Sequence, residues 1–200
     1  MLCTLTDIKT RLGIDVVDET SDDLLTAIIA GFTAFAERYC GRGLILPAEA
    51  VTESYTGLAE FIGLRRYPVS EITSVKEAFD WDFANAAALV ADVDYRLVGN
   101  GEKGLLYRAY GRWLSVPDAI QVVYRGGYVA AGEEAEEGET AMPADLREAA
   151  IQQCTFIYKR KDDIGLSAIS FQGGSANMFS ALDLLPLVRQ TLDGYRRVCL

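Results

Sequence analysis

The sequence predicts an α+β protein with a mainly α-helical core, a small antiparallel β module inserted between the helices, and a C-terminal helical arm. Two long segments, residues 21–40 and 143–161, repeat apolar side chains at three- and four-residue spacing, which is typical of amphipathic helices. Between them, residues 44–128 contain short β-type runs separated by turn residues. These observations predict helices on both sides of a β-rich insertion.

The two N-terminal helices have recognisable ends. The first is short: Thr4 or Thr6 can cap its start, and Gly13 can end it in the left-handed conformation. The second helix has Asp22 and Asp23 at its start, where acidic side chains suit the positive end of the helix dipole. It is predicted to end at Gly41. Its predicted apolar face contains Leu24, Leu25, Ile28, Ile29, Phe32, Phe35, Ala36 and Tyr39.

The β-type runs are short, and turn residues bound them. The last run shows the clearest alternation, with Ile120, Val122 and Tyr124 on one face of a predicted strand. Pro68 and Pro117 precede runs, where a missing amide hydrogen is tolerated. The predicted strands are residues 51–55, 61–64, 72–79, 94–98, 105–110 and 119–125.

Helices return after an acidic segment. Pro143 lies near the predicted start of the third helix, and Lys159 to Lys161 suit the negative end of its dipole. Residues 162–182 are rich in Ser and Gly and predict an irregular segment, followed by a last helix over 183–195. We therefore expect one domain over 1–200, with residues 1–43 and 140–161 as the helical core, 44–128 as the β-rich insertion, and 162–200 as a C-terminal docking arm.

Charge and cysteine usage limit the function classes. The net charge is −10, and half of it comes from five glutamates in residues 133–139, a segment that predicts a solvated loop. An acidic surface repels phosphates, which disfavours static binding to nucleic acid. Cys3, Cys40, Cys154 and Cys199 are scattered, so their spacing predicts neither a zinc site nor a disulfide framework.

No targeting or membrane segment is predicted. No apolar run approaches the roughly 20 residues that a transmembrane helix needs. Residues 1–5 lack a basic region followed by an apolar stretch, so no signal peptide is expected. These features predict a protein that is made in a cytoplasm and does not associate with a membrane.

The sequence predicts no catalytic, metal or cofactor site. It has no histidine, which excludes Ser-His and Cys-His pairs and histidine metal ligands. Residues 99–104 match the dinucleotide pattern G-x-G-x-x-G, but strand-like residues follow them, so this run is interpreted as a hairpin turn.

Two alternatives come from other function classes. A carboxylate-based hydrolase would need two close acids among Asp80, Asp82, Asp92 and Asp94, which we interpret as exposed turn residues. A carbohydrate-binding β module would need exposed aromatic side chains, and we favour a core role for most of them. The aromatic residues in question are Trp81, Tyr107, Tyr110, Trp113, Tyr124 and Tyr128.

The ordered set of segments resembles the head–tail connector (adaptor) proteins of tailed bacteriophages and gene transfer particles, the gp6-like family, over about residues 4–160. The set begins with a short and a long helix ending in ERYCGR at residues 37–42. It continues with LRRYPVSEITSV at 64–75, Asp94–Tyr95, GLL at 104–106, Trp113, IQVVYRGGY at 120–128 and MPADLREA at 142–149.

The resemblance implies a structural subunit and not an enzyme. Such proteins form a ring, commonly dodecameric, beneath the portal in the virion neck, and the packaged DNA passes through the channel without specific binding. The implied partners are other copies of the chain, the portal protein, and a stopper or tail-completion protein, with synthesis in the bacterial host's cytoplasm. Another neck component, such as a stopper, is the alternative within this class, but those tend to be small β-barrels and lack a helix as long as 21–39.

In this family the C-terminal part commonly reaches the portal. The apolar residues after Lys161 and the amphipathic last helix suit an arm that buries its apolar side chains on a partner. We therefore predict a portal-docking set on this arm: Ile164, Leu166, Ile169, Phe171, Met178, Phe179, Leu184, Leu187, Val188 and Tyr195.

Overall fold

The structure is a computed structural model that describes residues 1–57, 59–161, 168–171, 174–177 and 184–197. The chain divides into two compact units. Unit 1 comprises Met1–Tyr39 and Met142–Tyr195, and unit 2 comprises Cys40–Ala141 and Arg196–Leu200.

Unit 1 contains the helices, and their ends follow local sequence signals. Thr4 caps α1 in a capping box with Asp7, and Gly13 closes it with a left-handed φ of 71°. Pro186 occupies the first turn of α4, as its sequence position predicts. The elements are α1 (Leu5–Leu12), α2 (Asp22–Cys40), α3 (Ala144–Lys159), α4 (Pro186–Gly194) and two short strands described below.

The core of unit 1 is apolar and includes α4. Helix α3 packs against both α1 and α4. Burying each large aliphatic side chain contributes about 1.5–3 kcal/mol relative to leaving it exposed. Among the described residues of this unit, the fully buried aliphatic side chains include Leu2, Ile8, Leu25, Ile29, Leu146, Val188 and Leu192.

An ion pair joins α1 to α3. Arg147 donates to both carboxylate oxygens of Asp7, at 2.7 and 3.0 Å, while Thr4 donates its backbone amide to Asp7 Oδ2 at 2.9 Å. Burial acts to raise the pKa of Asp7, but the hydrogen bonds from Arg147 and Thr4 outweigh it and lower that pKa below its ordinary value. The charged form of Asp7 therefore stabilises unit 1.

Replacing Asp7 by asparagine is expected to lower the free energy of unfolding by about 1 kcal/mol at pH 7, after allowance for solvent screening. Because the pKa of Asp7 is lower in the folded state, its contribution is present above the unfolded value of 3.8 and disappears as the pH falls through the folded value. Urea denaturation of both proteins from pH 7 to pH 2.5 measures this. A stability difference that stays constant down to pH 2.5 would contradict the linkage.

Unit 2 is built from two three-stranded antiparallel sheets. The first has the order β1-β6-β3 and the second the order β2-β5-β4. In the first sheet, the first five residues of β6 pair with β1, from Ile120 opposite Tyr55 to Tyr124 opposite Val51. The strands are β1 (Val51–Tyr55), β2 (Phe61–Gly63), β3 (Val69–Glu77), β4 (Tyr95–Val98), β5 (Leu105–Arg108) and β6 (Ile120–Gly126).

The prediction of a mainly α-helical core is wrong. The described residues contain eight strands beside four α-helices, so the two classes are far more evenly mixed than predicted. The physical reason is that the strands enclose a hydrophobic core of their own and do not merely decorate a helical one. Its buried members are Tyr55, Ile62, Leu64, Val69, Val75, Tyr95, Leu106, Trp113, Ile120, Val122 and Tyr124.

The G-x-G-x-x-G run forms a hairpin connection, as predicted. It joins the antiparallel strands β4 and β5, and Gly99–Gly101 make a short 3-10 turn. A side chain at Gly101 would meet the carbonyl oxygen of Val69 at 2.8 Å, and its φ is 83°. The glycine therefore permits a close approach between backbone segments and forms no phosphate-binding turn.

The Ser- and Gly-rich segment contains strands that the sequence did not predict. Strand β7 (Ala168–Phe171) pairs antiparallel with β8 (Gly174–Asn177). Each strand is only four residues long, and the small residues in it hide the alternation on which strand prediction depends. Among the described residues, no helix combines the length and apolarity that a membrane crossing requires.

Candidate docking surfaces

The predicted portal-docking residues fall into three groups. Ile164, Leu166, Met178 and Phe179 lie outside the described residues, and Ile169 and Phe171 belong to strand β7. The four remaining residues lie on or beside α4: Leu184 and Tyr195 are half-buried, Leu187 is 58% exposed, and Val188 is fully buried.

Helix α4 is fixed within unit 1. Val188 and Leu192 are fully buried, because α4 packs against α3. The Tyr195 hydroxyl donates to Asp145 Oδ1 at 2.6 Å, and the Tyr39 hydroxyl donates to Asp193 Oδ1 at 2.8 Å. The apolar face of α4 is therefore already buried in the core of its own unit. Of the residues on α4 that were predicted to dock on the portal, Leu187 is the one with the most exposed side chain.

The acidic segment at residues 133–139 is largely exposed, as expected of a solvated loop. The side chains of Glu133, Glu134, Glu136 and Glu137 are exposed. Glu139 differs, since it lies only 11% exposed against Arg125, with 3.0 Å between Arg125 Nη2 and Glu139 Oε1. The segment therefore has one carboxylate that holds it to the sheet and four that face solvent.

The four candidate hydrolase carboxylates have local structural roles. Asp82 accepts hydrogen bonds from the side chain and backbone of Asn85, which lower its pKa. Asp94 Oδ2 accepts from the Val90 amide at 2.8 Å, and Asp92 lies 3.4 Å from Arg96 Nε. Asp80 accepts from the Asp82 amide at 3.2 Å. These carboxylates order the loop between β3 and β4, as turn acids do.

The aromatic side chains do not form a shared stacking surface. Trp113 is 2% exposed and Tyr124 is fully buried, whereas Trp81 and Tyr110 are exposed. A glycan site would need Trp81 and Trp113 exposed together. The structure therefore supports the core role predicted for Trp113 and Tyr124, while Tyr110 was wrongly expected to join them.

A buried polar cluster in unit 2 was not anticipated from the sequence. The hydroxyls of Tyr55 and Tyr124 both donate to Glu53 Oε2, and the Arg66 amide donates to the Tyr124 hydroxyl at 3.0 Å. Burial raises the pKa of both tyrosines above the ordinary value, so both stay protonated donors. The cluster joins β1 and β6 to the segment after β2. The alternation of Glu53 and Tyr55 on one strand face was the available signal.

Within the part of the chain that the structure describes, no three acidic or cysteine side chains are grouped so that they could hold a metal ion. Asp7 and Glu139 form ion pairs and Glu53 belongs to the tyrosine cluster, whereas four glutamates of residues 133–139 face solvent.

Comparison with known proteins finds a family model that matches part of the chain. Residues 3–85 match the model of the phage gp6-like head-tail connector protein family, in agreement with the resemblance seen in the sequence. No curated protein shows significant similarity to the chain.

Solved structures from gene transfer agent (GTA) particles share the fold. A chain in the neck of an empty GTA particle computed with C6 symmetry is 16% identical with a TM-score of 0.61, and a chain in the virion of a native GTA particle is 18% identical with a TM-score of 0.61. Both matches cover 98% of this chain and 89% of the other. A third, in the neck of a native GTA particle computed with C12 symmetry, is 15% identical with a TM-score of 0.52 and covers 98% and 91%.

The two comparisons concern related kinds of protein. The family match is to head–tail connectors, and chains with the shared fold occur in the necks of GTA particles.

Proposed function

We propose that this chain forms a ring in the neck, below the portal, which joins the capsid to the tail and conducts DNA. The connector-family match over residues 3–85 is the observation that carries this proposal. Necks that contain the same fold have been computed with C6 and C12 symmetry, which supports a ring for this chain as well. The role requires no catalytic group.

The acidic character of the chain suits a conduit. With a net charge of −10, its surface repels phosphates on average and does not release their counterions. A wall that bound phosphates tightly would slow the DNA that slides past it. We therefore propose that DNA crosses the ring without specific contacts.

We further propose that α4 meets the portal through its exposed side. Of the predicted docking residues on α4, Leu187 is 58% exposed, whereas Val188 belongs to the core of unit 1. This distinction changes the appropriate test. Removing residues 163–200 would uncover the apolar face of α3 and destabilise unit 1, so a loss of binding after truncation would be uninformative. A point variant at Leu187 avoids that problem.

Replacing Leu187 by glutamate is expected to weaken binding to portal-bearing heads by about tenfold or more, because an apolar contact is replaced by a buried charge. Stability should change by less than about 0.5 kcal/mol, since the side chain is already exposed. Co-sedimentation with tailless, portal-bearing heads measures the binding.

The matched control is Val17→Glu, which puts the same charge at an 83% exposed apolar position in the same unit. This control should bind normally. If Leu187→Glu and Val17→Glu sediment with heads equally well, Leu187 does not dock and this part of the proposal is wrong.

A further inference from the structure

Unit 2 contains a buried arginine that has no anionic partner in the described part of the chain. Arg42 is only 6% exposed, and its guanidinium lies 3.6 Å from the centre of the Tyr67 ring and 5.5 Å from that of Tyr128. Its Nε and Nη2 atoms are buried and have no hydrogen-bond partner among the described residues. The rings offset part of the cost of burying a cation, but they leave these N–H donors unpaired.

A second arginine lies beside the first. The Arg197 amide donates to the Cys40 carbonyl at 2.7 Å, and a Cβ placed on Gly41 would lie 3.9 Å from Arg197 Cβ. Arg197 Nη2 donates to the Gly63 carbonyl at 2.7 Å, whereas its Nε is buried without a partner among the described residues. Two arginines with buried, unpaired N–H donors therefore occupy one part of unit 2.

The positive charge of this pair is not compensated by the described carboxylates. Burial raises the pKa of Tyr67, and the positive charges of Arg42 and Arg197 both act to lower it, so both arginines influence the same hydroxyl. The Glu53 carboxylate accepts from two buried tyrosine hydroxyls and lies 4.0 Å from Arg66. Buried like charges are unfavourable unless a group of opposite charge accompanies them.

We propose that Arg42 and Arg197 bind a small oxyanion, either a phosphate ion or a carboxylate group. A guanidinium presents its N–H donors in a planar fork that matches the oxygen atoms of these groups. Such an anion pairs the open donors and offsets the burial of two positive charges. The inference is independent of the proposed ring, because both arginines belong to unit 2 of a single chain.

The burial of the site favours a small anion over DNA. Arg42 keeps 6% of its surface exposed, and Arg197 is half-buried. A site this closed admits a single ion or one carboxylate, whereas the phosphates of a duplex are held on a broad, rigid backbone that cannot enter it. The net charge of −10 repels DNA from the chain as a whole, so the pair is a local exception to an acidic surface.

The test is urea denaturation of the full chain in sodium phosphate, sodium acetate and sodium chloride at equal pH and ionic strength. An anion that binds only the folded chain lowers the unfolding constant by about elevenfold at ten times its dissociation constant. Phosphate also stabilises proteins through exclusion from their surface, and that effect does not depend on a particular site. The expected result is therefore a saturable response to at least one of the two oxyanions.

Arg42→Met removes the buried charge and keeps an unbranched side chain. This variant should lose the saturable response, yet be at least as stable as the wild type in chloride, because the cost of burying an unpaired charge disappears. Arg42→Lys keeps the charge without the planar fork and should bind the anion about tenfold more weakly. The matched control is Arg65→Met, which removes an exposed arginine 5.4 Å from the centre of the Tyr55 ring and should respond like the wild type.

The outcomes decide between a site and a general salt effect. A saturable response that is lost in Arg42→Met and in Arg197→Met, but kept in Arg65→Met, would support the site. Equal responses of the wild type and Arg42→Met would contradict it, as would a wild type that responds to neither oxyanion. Stabilisation by duplex DNA alone in the same assay would overturn the small-anion site and assign the arginines to the DNA backbone.

Discussion

Replacing Trp113 by alanine is expected to lower the free energy of unfolding of unit 2 by about 3–5 kcal/mol, the usual range for truncating a large buried aromatic residue. Trp113 is 2% exposed in the hydrophobic core of unit 2, and the Arg108 guanidinium lies 5.5 Å from the centre of its ring. Gly57 packs closely against the backbone side of this residue, because a side chain at Gly57 would lie 2.4 Å from Trp113 Cβ. Hydrogen exchange of the β6 amides reports the loss specifically for unit 2.

The control for this change is Trp113→Phe, which keeps an aromatic ring in the core. It also removes the indole nitrogen, which is buried without a hydrogen-bond partner. The phenylalanine variant should therefore retain most of the stability that alanine loses. A Trp113→Ala protein with unchanged exchange rates would contradict the core role and revive a surface role for this residue.

Replacing Lys9 by methionine is expected to destabilise unit 1 by about 3 kcal/mol, because it breaks a buried ion pair and leaves its partners unsatisfied. Lys9 is 1% exposed, and its Nζ donates to the carbonyls of Val16 and Asp18 at 3.0 and 2.8 Å. It also pairs with Asp22 at the start of α2. Since Asp22 is 25% exposed and can recover some hydration, we expect the lower end of the range for buried pairs. Hydrogen exchange of the α1 amides measures the effect.

The same helix provides a surface pair for comparison. Arg11 lies 2.7 Å from Glu148, and both side chains are more than 40% exposed. Arg11→Ala should cost no more than about 1 kcal/mol, because exposed ion pairs are screened by solvent. If Lys9→Met and Arg11→Ala have the same effect on α1, burial does not determine the strength of these pairs.

The elements with strong local signals could be predicted from the sequence. The capping box at Thr4, Gly13 after α1 and Pro186 in the first turn of α4 all act through neighbouring residues, so the helix ends follow from short patterns. The alternation in residues 120–125 likewise located β6. Each of these features depends on the chain within a few positions.

Features that depend on distant residues could not be predicted in the same way. A lysine on a short helix is normally exposed, and Lys9 is buried only because the chain returns at Val16 and Asp18 to supply carbonyl acceptors. The sequence predicts a solvated loop at residues 133–139. No pattern in the neighbouring sequence indicates that residues 45–48 lie beside this loop and form a groove with it.

The apolar face of α4 illustrates the same limit for the candidate site. An amphipathic pattern predicts that one side of a helix will be buried, but it does not predict which element or partner will cover that side. Val188 and Leu192 pack within unit 1, and Leu187 on the neighbouring side remains exposed. The sequence thus predicted the helix, and the structure shows which of its residues belong to the core and which are exposed.

Electron microscopy of the wild-type protein bound to portal-bearing heads tests the central claim most directly. If the chain is a neck connector, averaged images should show added density at the portal vertex, as a ring coaxial with the portal channel. Heads that bind the protein elsewhere, or show no added ring at that vertex with saturating protein, would contradict it.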